Sequence, residues 1–85
     1  MYNISLGSKA EKFLKKTEKE IRLRVWDKID ELKLNPFPSE VVRIVGNNEK
    51  AFRVRVGSYR IQYYVFQDKN EIVIFNINKR ERAYN

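Results

Sequence analysis

Residues 52–65 read FRVRVGSYRIQYYV, and the alternation of apolar and polar side chains on both sides of Gly57-Ser58 fixes the architecture around them. A period of two on either side of a two-residue turn specifies a β-hairpin. Glycine in first place suits a primed turn, which pairs Val56 with Tyr59, Arg55 with Arg60, Val54 with Ile61 and Arg53 with Gln62. In that register Phe52, Val54, Val56, Tyr59, Ile61 and Tyr63 share the face that meets a core, while Arg53, Arg55 and Arg60 share the opposite one. Like charges directly opposed on a sheet cost on the order of 0.2–1 kcal/mol. Long arginine stems can splay apart over an open sheet face, but three of them on one face favour a polyanionic partner.

Working outward, EIVIFNIN (71–78) is apolar at successive positions, as a central strand requires. A loop of Asp68, Lys69 and Asn70 pairs Val65 with Val73, Tyr63 with Phe75 and Ile61 with Ile77, all six on the core face, and sets Asn78 opposite Arg60. The closing run NKRERAYN (78–85) then carries Lys79, Arg80, Arg82 and Tyr84 toward the arginine face. Upstream of the hairpin, VVRIV (41–45) reads as a further strand, with Gly46-Asn47-Asn48 as the turn between them. Asn35-Pro36-Phe37-Pro38 stops a helix, because proline cannot continue the backbone ladder. That helix carries Ile21, Val25, Ile29 and Leu32 on one stripe with Trp26 at its edge, and Thr17 with Glu20 fits a capping box at its start. A shorter helix precedes it, with Ser8 and Glu11 as a second capping box, and Tyr2, Ile4 and Leu6 form a short first strand ending at Gly7. The expected fold is α+β: one domain over residues 1–85, with a short N-terminal strand and a two-helix hairpin on a twisted antiparallel sheet of about four strands.

Eighty-five residues suffice for one two-layer core and no second. Lysine and arginine number 18 against 11 acidic residues, a net +7. Residues 50–85 hold eight basic side chains against three acidic ones, so five of the seven surplus charges lie there. This balance favours nucleic acid or an acidic protein as partner. In the helices the lysines alternate with Glu11, Glu18, Glu20, Asp27, Asp30 and Glu31, which marks a solvated face with local ion pairs rather than a basic recognition helix. Cysteine and histidine are both absent. That excludes disulfides, thiolate or imidazole zinc sites and every histidine acid-base arrangement, and no cofactor is expected. The N-terminus lacks a signal-peptide apolar stretch, and no run approaches the roughly 20 apolar residues of a membrane span, so the expected location is the cytoplasm with no membrane partner.

The order of strand, two helices, proline-bearing loop and antiparallel strands resembles the RelE/ParE toxin superfamily over nearly the whole chain. The most specific parts are FRVRVGSYRIQYYV and NKRERAYN, and the second is similar to the RelE ribosome-dependent mRNA endonucleases. The resemblance implies a type II toxin neutralised by a RelB-like antitoxin, acting on the ribosome with mRNA in the A site and on no small-molecule substrate. It implies metal-independent attack of a ribose 2′-hydroxyl on the adjacent phosphate. Carried over by position, it assigns Arg53, Arg55, Arg60, Arg80 and Tyr84 to catalysis and Lys79 and Arg82 to RNA backbone. The RelE pattern has lysines at the two strand positions held here by Arg53 and Arg55, and arginine is a poor general base. The alternative is a ParE-like toxin that inhibits DNA gyrase without chemistry of its own.

Overall fold

A computed structural model describes residues 1–44 and 51–79 of the chain, and in it the hairpin forms in the register its alternation dictates. Strand β3 (Ala51–Val56) pairs with β4 (Tyr59–Phe66) through Val56–Tyr59, Arg55–Arg60, Val54–Ile61 and Arg53–Gln62. Gly57 takes a positive φ of 59° and Ser58 does not, the pattern of a type II′ turn whose twist matches the strands it joins. The remaining elements are β1 (Asn3–Leu6), α1 (Ser8–Lys16), α2 (Lys19–Leu34), β2 (Val42–Ile44) and β5 (Glu71–Lys79).

The sheet has five strands in the order β1-β5-β4-β3-β2. Strands β2 to β5 form an antiparallel meander, and β1 adds to its β5 edge in parallel, Asn3 facing Glu71 and Leu6 facing Ile74. The sheet is therefore mixed rather than antiparallel, and one strand wider than the sequence implied. Parallel neighbours need a long crossover, which the two helices and the rest of the meander supply.

Two helix starts differ from expectation. Helix α1 begins at Ser8 with Gly7 as its cap, and no side chain bonds the cap position. Gly7 lies flat against β5, its N–H bonding the Ile74 carbonyl at 2.8 Å, and a Cβ there would come within 3.3 Å of that same oxygen. Thr17 closes α1 instead of opening α2, its N–H returning to the Phe13 carbonyl. Helix α2 starts at Lys19 behind Glu18, again without a side-chain cap. The end of α1 is secured from the next helix: Arg22 donates from Nε to the Leu14 carbonyl at 2.8 Å and from Nη2 to the Thr17 carbonyl at 2.9 Å, satisfying oxygens that a helix terminus leaves open.

The core lies between the helices and one sheet face. Ala10 and Leu14 from α1 and Val25, Ile29 and Leu32 from α2 meet Phe52, Val54, Ile61, Tyr63, Val65, Ile72, Ile74 and Ile77. Ile21 and Trp26 pack at its margin, so the tryptophan is a packing residue. The expected pairs Arg60–Asn78 and Ile61–Ile77 form, but Tyr63–Phe75 and Val65–Val73 do not. A register shift between Gln62 and Tyr63 brings Tyr63 opposite Ile74 and Val65 opposite Ile72. The extra residue of this bulge is Phe75, which stacks on Tyr64 at 4.5 Å on the open face, where Val73, paired with Tyr64, also lies. Inserting one residue reverses the facing of all that precede it on the strand, which is why Ile72 and Ile74 are buried while Val73 and Phe75 are not.

Candidate nucleic-acid interface

The hairpin register delivers three of the predicted arginines to one place. Arg53, Arg55 and Arg60, with Glu40 and Val42, line an open cleft of about 410 Å³ on the sheet face away from the helices. Arg55 is exposed, while Arg53 and Arg60 are half-buried. Among the described residues no carboxylate forms an ion pair with any of the three. Their mutual repulsion is thus retained within the protein, and a bound anion would relieve it.

Arg60 is aimed by its neighbour on β5. Its Nε donates to Asn78 Oδ1 at 3.0 Å, which spends the inner edge of the guanidinium and leaves the terminal nitrogens for an incoming oxyanion pair. The next row repeats the device, Asn76 Nδ2 donating to Gln62 Oε1 at 2.9 Å. Asn78 was placed opposite Arg60 by the sequence, but its orienting role is a finding of the structure.

Glu40 also lines the cleft, at a position that no sequence pattern marks. The segment joining α2 to β2 is tied at several points. Tyr63 donates its hydroxyl to the buried Pro36 carbonyl at 2.7 Å, and burial, followed by the charge of Glu40, pushes the phenol well above its ordinary pKa. Phe37 packs edge-on against Phe52 at 5.1 Å. Val41 N–H closes a turn onto the Pro38 carbonyl at 3.0 Å, with Glu40 within it. Lys28 on α2 reaches Glu40 Oε2 and Glu31 Oε1, each at 3.0 Å. The hydrogen bond from Lys28, together with the residue's own backbone N–H, holds the Glu40 carboxyl below its usual range. The same contact with Glu40 raises Lys28.

Lys79 ends β5 opposite Tyr59, on the row that faces the helices, and is exposed outside the cleft. Arg80, Arg82 and Tyr84 lie outside the described residues. No described helix is long and apolar enough to cross a membrane.

The family described as ParE toxin of type II toxin-antitoxin system, parDE, matches residues 4–84. The chain belongs to the RelE/ParE toxin superfamily. Within this superfamily it is of the RelE type. A protein of Methanocaldococcus jannaschii that carries the provisional name toxin RelE1 is 35% identical over 86 residues, covering 98% of this chain and 94% of the relative. The RelE of the archaeal RelE-RelB complex from Pyrococcus horikoshii OT3 superposes with a TM-score of 0.84 at 28% identity, covering 96% of this chain and 98% of that one. The isolated RelE toxin of E. coli superposes with a TM-score of 0.83 at 20% identity over 99% of this chain and 92% of its own, which establishes a shared fold. The cleft is built by the hairpin strands β3 and β4 together with Glu40 and Val42.

Proposed function

We propose that this RelE-type toxin is an endoribonuclease that cuts mRNA in the ribosomal A site and is neutralised by a RelB-like antitoxin. The arginine cleft carries this reading: three guanidinium groups without an acidic partner among the described residues, one of them aimed by Asn78, form a receptor for a phosphate that gains negative charge during reaction. In the proposed step the ribose 2′-oxygen attacks the neighbouring phosphorus and the bond to the 5′-oxygen breaks, giving a cyclic phosphate and a 5′-hydroxyl. Arg55 and Arg60 stabilise the pentacoordinate phosphorane, and Arg53 binds the adjoining backbone. The family resemblance adds Arg80 to the phosphate, Tyr84 to a base or a proton, and Arg82 to the RNA backbone, whereas Lys79, on the helix-facing row, is left outside the cleft. The antitoxin partner is supported by the Pyrococcus horikoshii relative, whose RelE was solved bound to RelB.

The family description as a ParE toxin favours a second reading, inhibition of DNA gyrase. Mapping mRNA 5′ ends after brief expression separates the two. Cuts within translated frames that disappear in Arg60→Ala are expected. Intact mRNA accompanied by arrested replication would establish the gyrase reading instead.

A further inference from the structure

The sheet face that carries the arginines changes character from row to row. Arg55, Arg60 and Asn78 form the first row, Arg53, Gln62 and Asn76 the second, and Ala51, Tyr64 and Val73 the third, each set by direct strand pairing. Phe75, the extra residue of the β5 bulge, stacks on Tyr64 beside Asn76. Guanidinium groups thus give way first to a pair of amides and then to a pair of aromatic rings. We propose that the second and third rows form a nucleobase subsite, in which Gln62 and Asn76 bond the edge of an unpaired RNA base and Tyr64 with Phe75 receives its apolar face, next to the phosphate that Arg55 and Arg60 hold. The inference rests on the nuclease reading above and extends the site from phosphate to base.

The amide pair has hydrogen-bonding capacity to spare. Asn76 Nδ2 donates to Gln62 Oε1 at 2.9 Å, which leaves Gln62 Nε2 as a donor and Asn76 Oδ1 as an acceptor with no partner among the described residues. Turning both amides over leaves the same complement, one amino group and one carbonyl. Both side chains are half-buried, and partly desolvated polar groups gain from a ligand that pairs them. The Watson–Crick edge of each RNA base sets a donor next to an acceptor, N3–H beside O4 in uracil and the amino group beside N1 in adenine. A base within a duplex has spent that edge, so the amides select an unpaired base rather than a particular one.

The aromatic pair supplies the other half of base recognition. Tyr64 and Phe75 stack at 4.5 Å with 28° between their planes, and Phe66 continues the cluster at 6.1 Å from Tyr64. All three are half-buried and lie outside the core beneath the helices, so part of their ring surface meets solvent. Proteins that hold single-stranded RNA combine a basic groove along the backbone with rings on which bases stack, and here the two adjoin. Successive rows on β4 lie about 7 Å apart, so Gln62 is one row from Arg60 and Tyr64 two. Bases flanking a phosphate bridged by Arg55 and Arg60 fall within that interval. Continuity with the arginine cleft, and the positive charge of that cleft, favour RNA over a protein segment as the occupant of these rows.

The test is equilibrium binding of the toxin to three short oligouridylates of equal length and charge, all 2′-fluoro-substituted so that nothing can be cut. One carries ordinary bases, one is methylated at N3 of every base, which blocks the donor of the edge but keeps the ring, and one lacks bases throughout. Ordinary bases are expected to bind tightest. Methylation should weaken binding about 2- to 10-fold, as loss of a hydrogen bond does, and removal of the bases about 5- to 150-fold, as loss of a stacked base does. Gln62→Leu with Asn76→Leu should erase the difference between methylated and ordinary bases, and Tyr64→Leu with Phe75→Leu should bring ordinary RNA close to the baseless affinity. Wild-type affinity of both variants for the baseless strand would show that they are folded and that the arginines still hold phosphate. Equal affinity of the wild type for all three strands overturns the subsite and leaves the nuclease reading intact, since a phosphate site needs no base. Aromatic variants that keep every RNA affinity but lose a RelB-like antitoxin would make these rows a protein surface, which overturns the subsite likewise. Wild-type toxin that leaves mRNA whole in cells overturns the nuclease reading, an outcome the oligonucleotide affinities do not decide.

Discussion

Tyr63 shows how one side chain couples the core to the site. Its ring is fully buried and tilts against Phe52 at 5.9 Å, while its hydroxyl holds the Pro36 carbonyl at the head of the segment that carries Glu40. Loss of that hydroxyl in Tyr63→Phe removes one buried hydrogen bond and should lower stability by about 1 kcal/mol in urea unfolding. The same variant has a pH signature. Burial raises the folded-state pKa of the phenol above its unfolded value near 10.0. Above that value the unfolded chain releases a proton that the folded one retains, so wild-type stability falls as pH rises toward the folded pKa. Tyr63→Phe should flatten this alkaline decline, and an equal decline in the variant would assign it to other groups. Arg60 and Asn78 make the same point on the open face, where one hydrogen bond decides which edge of a guanidinium is offered to a ligand.

At the scale of elements, the hairpin is where local preference and tertiary structure agree. Gly57 sits at φ 59°, a conformation that penalises side chains, and Gly57→Ala should cost about 1–2 kcal/mol. A Cβ there would also meet Arg24 Nη2 at 2.9 Å, but that is the free end of a flexible chain and can withdraw. Backbone strain therefore dominates, and a shift in the urea midpoint with unchanged slope is the expected readout. The alternation of Phe52 to Tyr63 was enough to place Arg55 opposite Arg60, because a one-residue slip would have exposed the whole apolar set. The far half of the β4–β5 pairing was not legible, since IVIF (72–75) is apolar at every position and accommodates Phe75 on either face. Capping-box patterns misled at Ser8 and Thr17, where close packing of Gly7 on β5 and the reach of Arg22 decide the helix ends. Glu40 is marked by no sequence pattern, because the Pro38–Val41 turn and the reach of Lys28 from α2 set its place, and the prolines signal only a break.

Across the whole molecule, net charge and charge placement make separable predictions. The chain carries +7, and a uniform charge of that size would draw any polyanion to any face. The structure divides the basic groups: Arg53, Arg55 and Arg60 crowd one cleft, whereas Lys12 and Lys16 stand exposed on α1. Binding to a short single-stranded RNA, followed over a potassium chloride series, should weaken with a logarithmic slope of about 0.7 for each phosphate neutralised. If the cleft is where phosphates sit, Arg55→Ala with Arg60→Ala should lower that slope by roughly 1.4, as loss of two contacts requires. Lys12→Gln with Lys16→Gln removes the same formal charge from the opposite side of the sheet and should leave the slope near its wild-type value. Equal reductions in both pairs would mean that RNA responds to the overall field, and the cleft would lose its claim as the phosphate site. A reduction confined to the arginine pair locates the RNA on the open face, where Arg55 faces Arg60 and Asn78 aims Arg60.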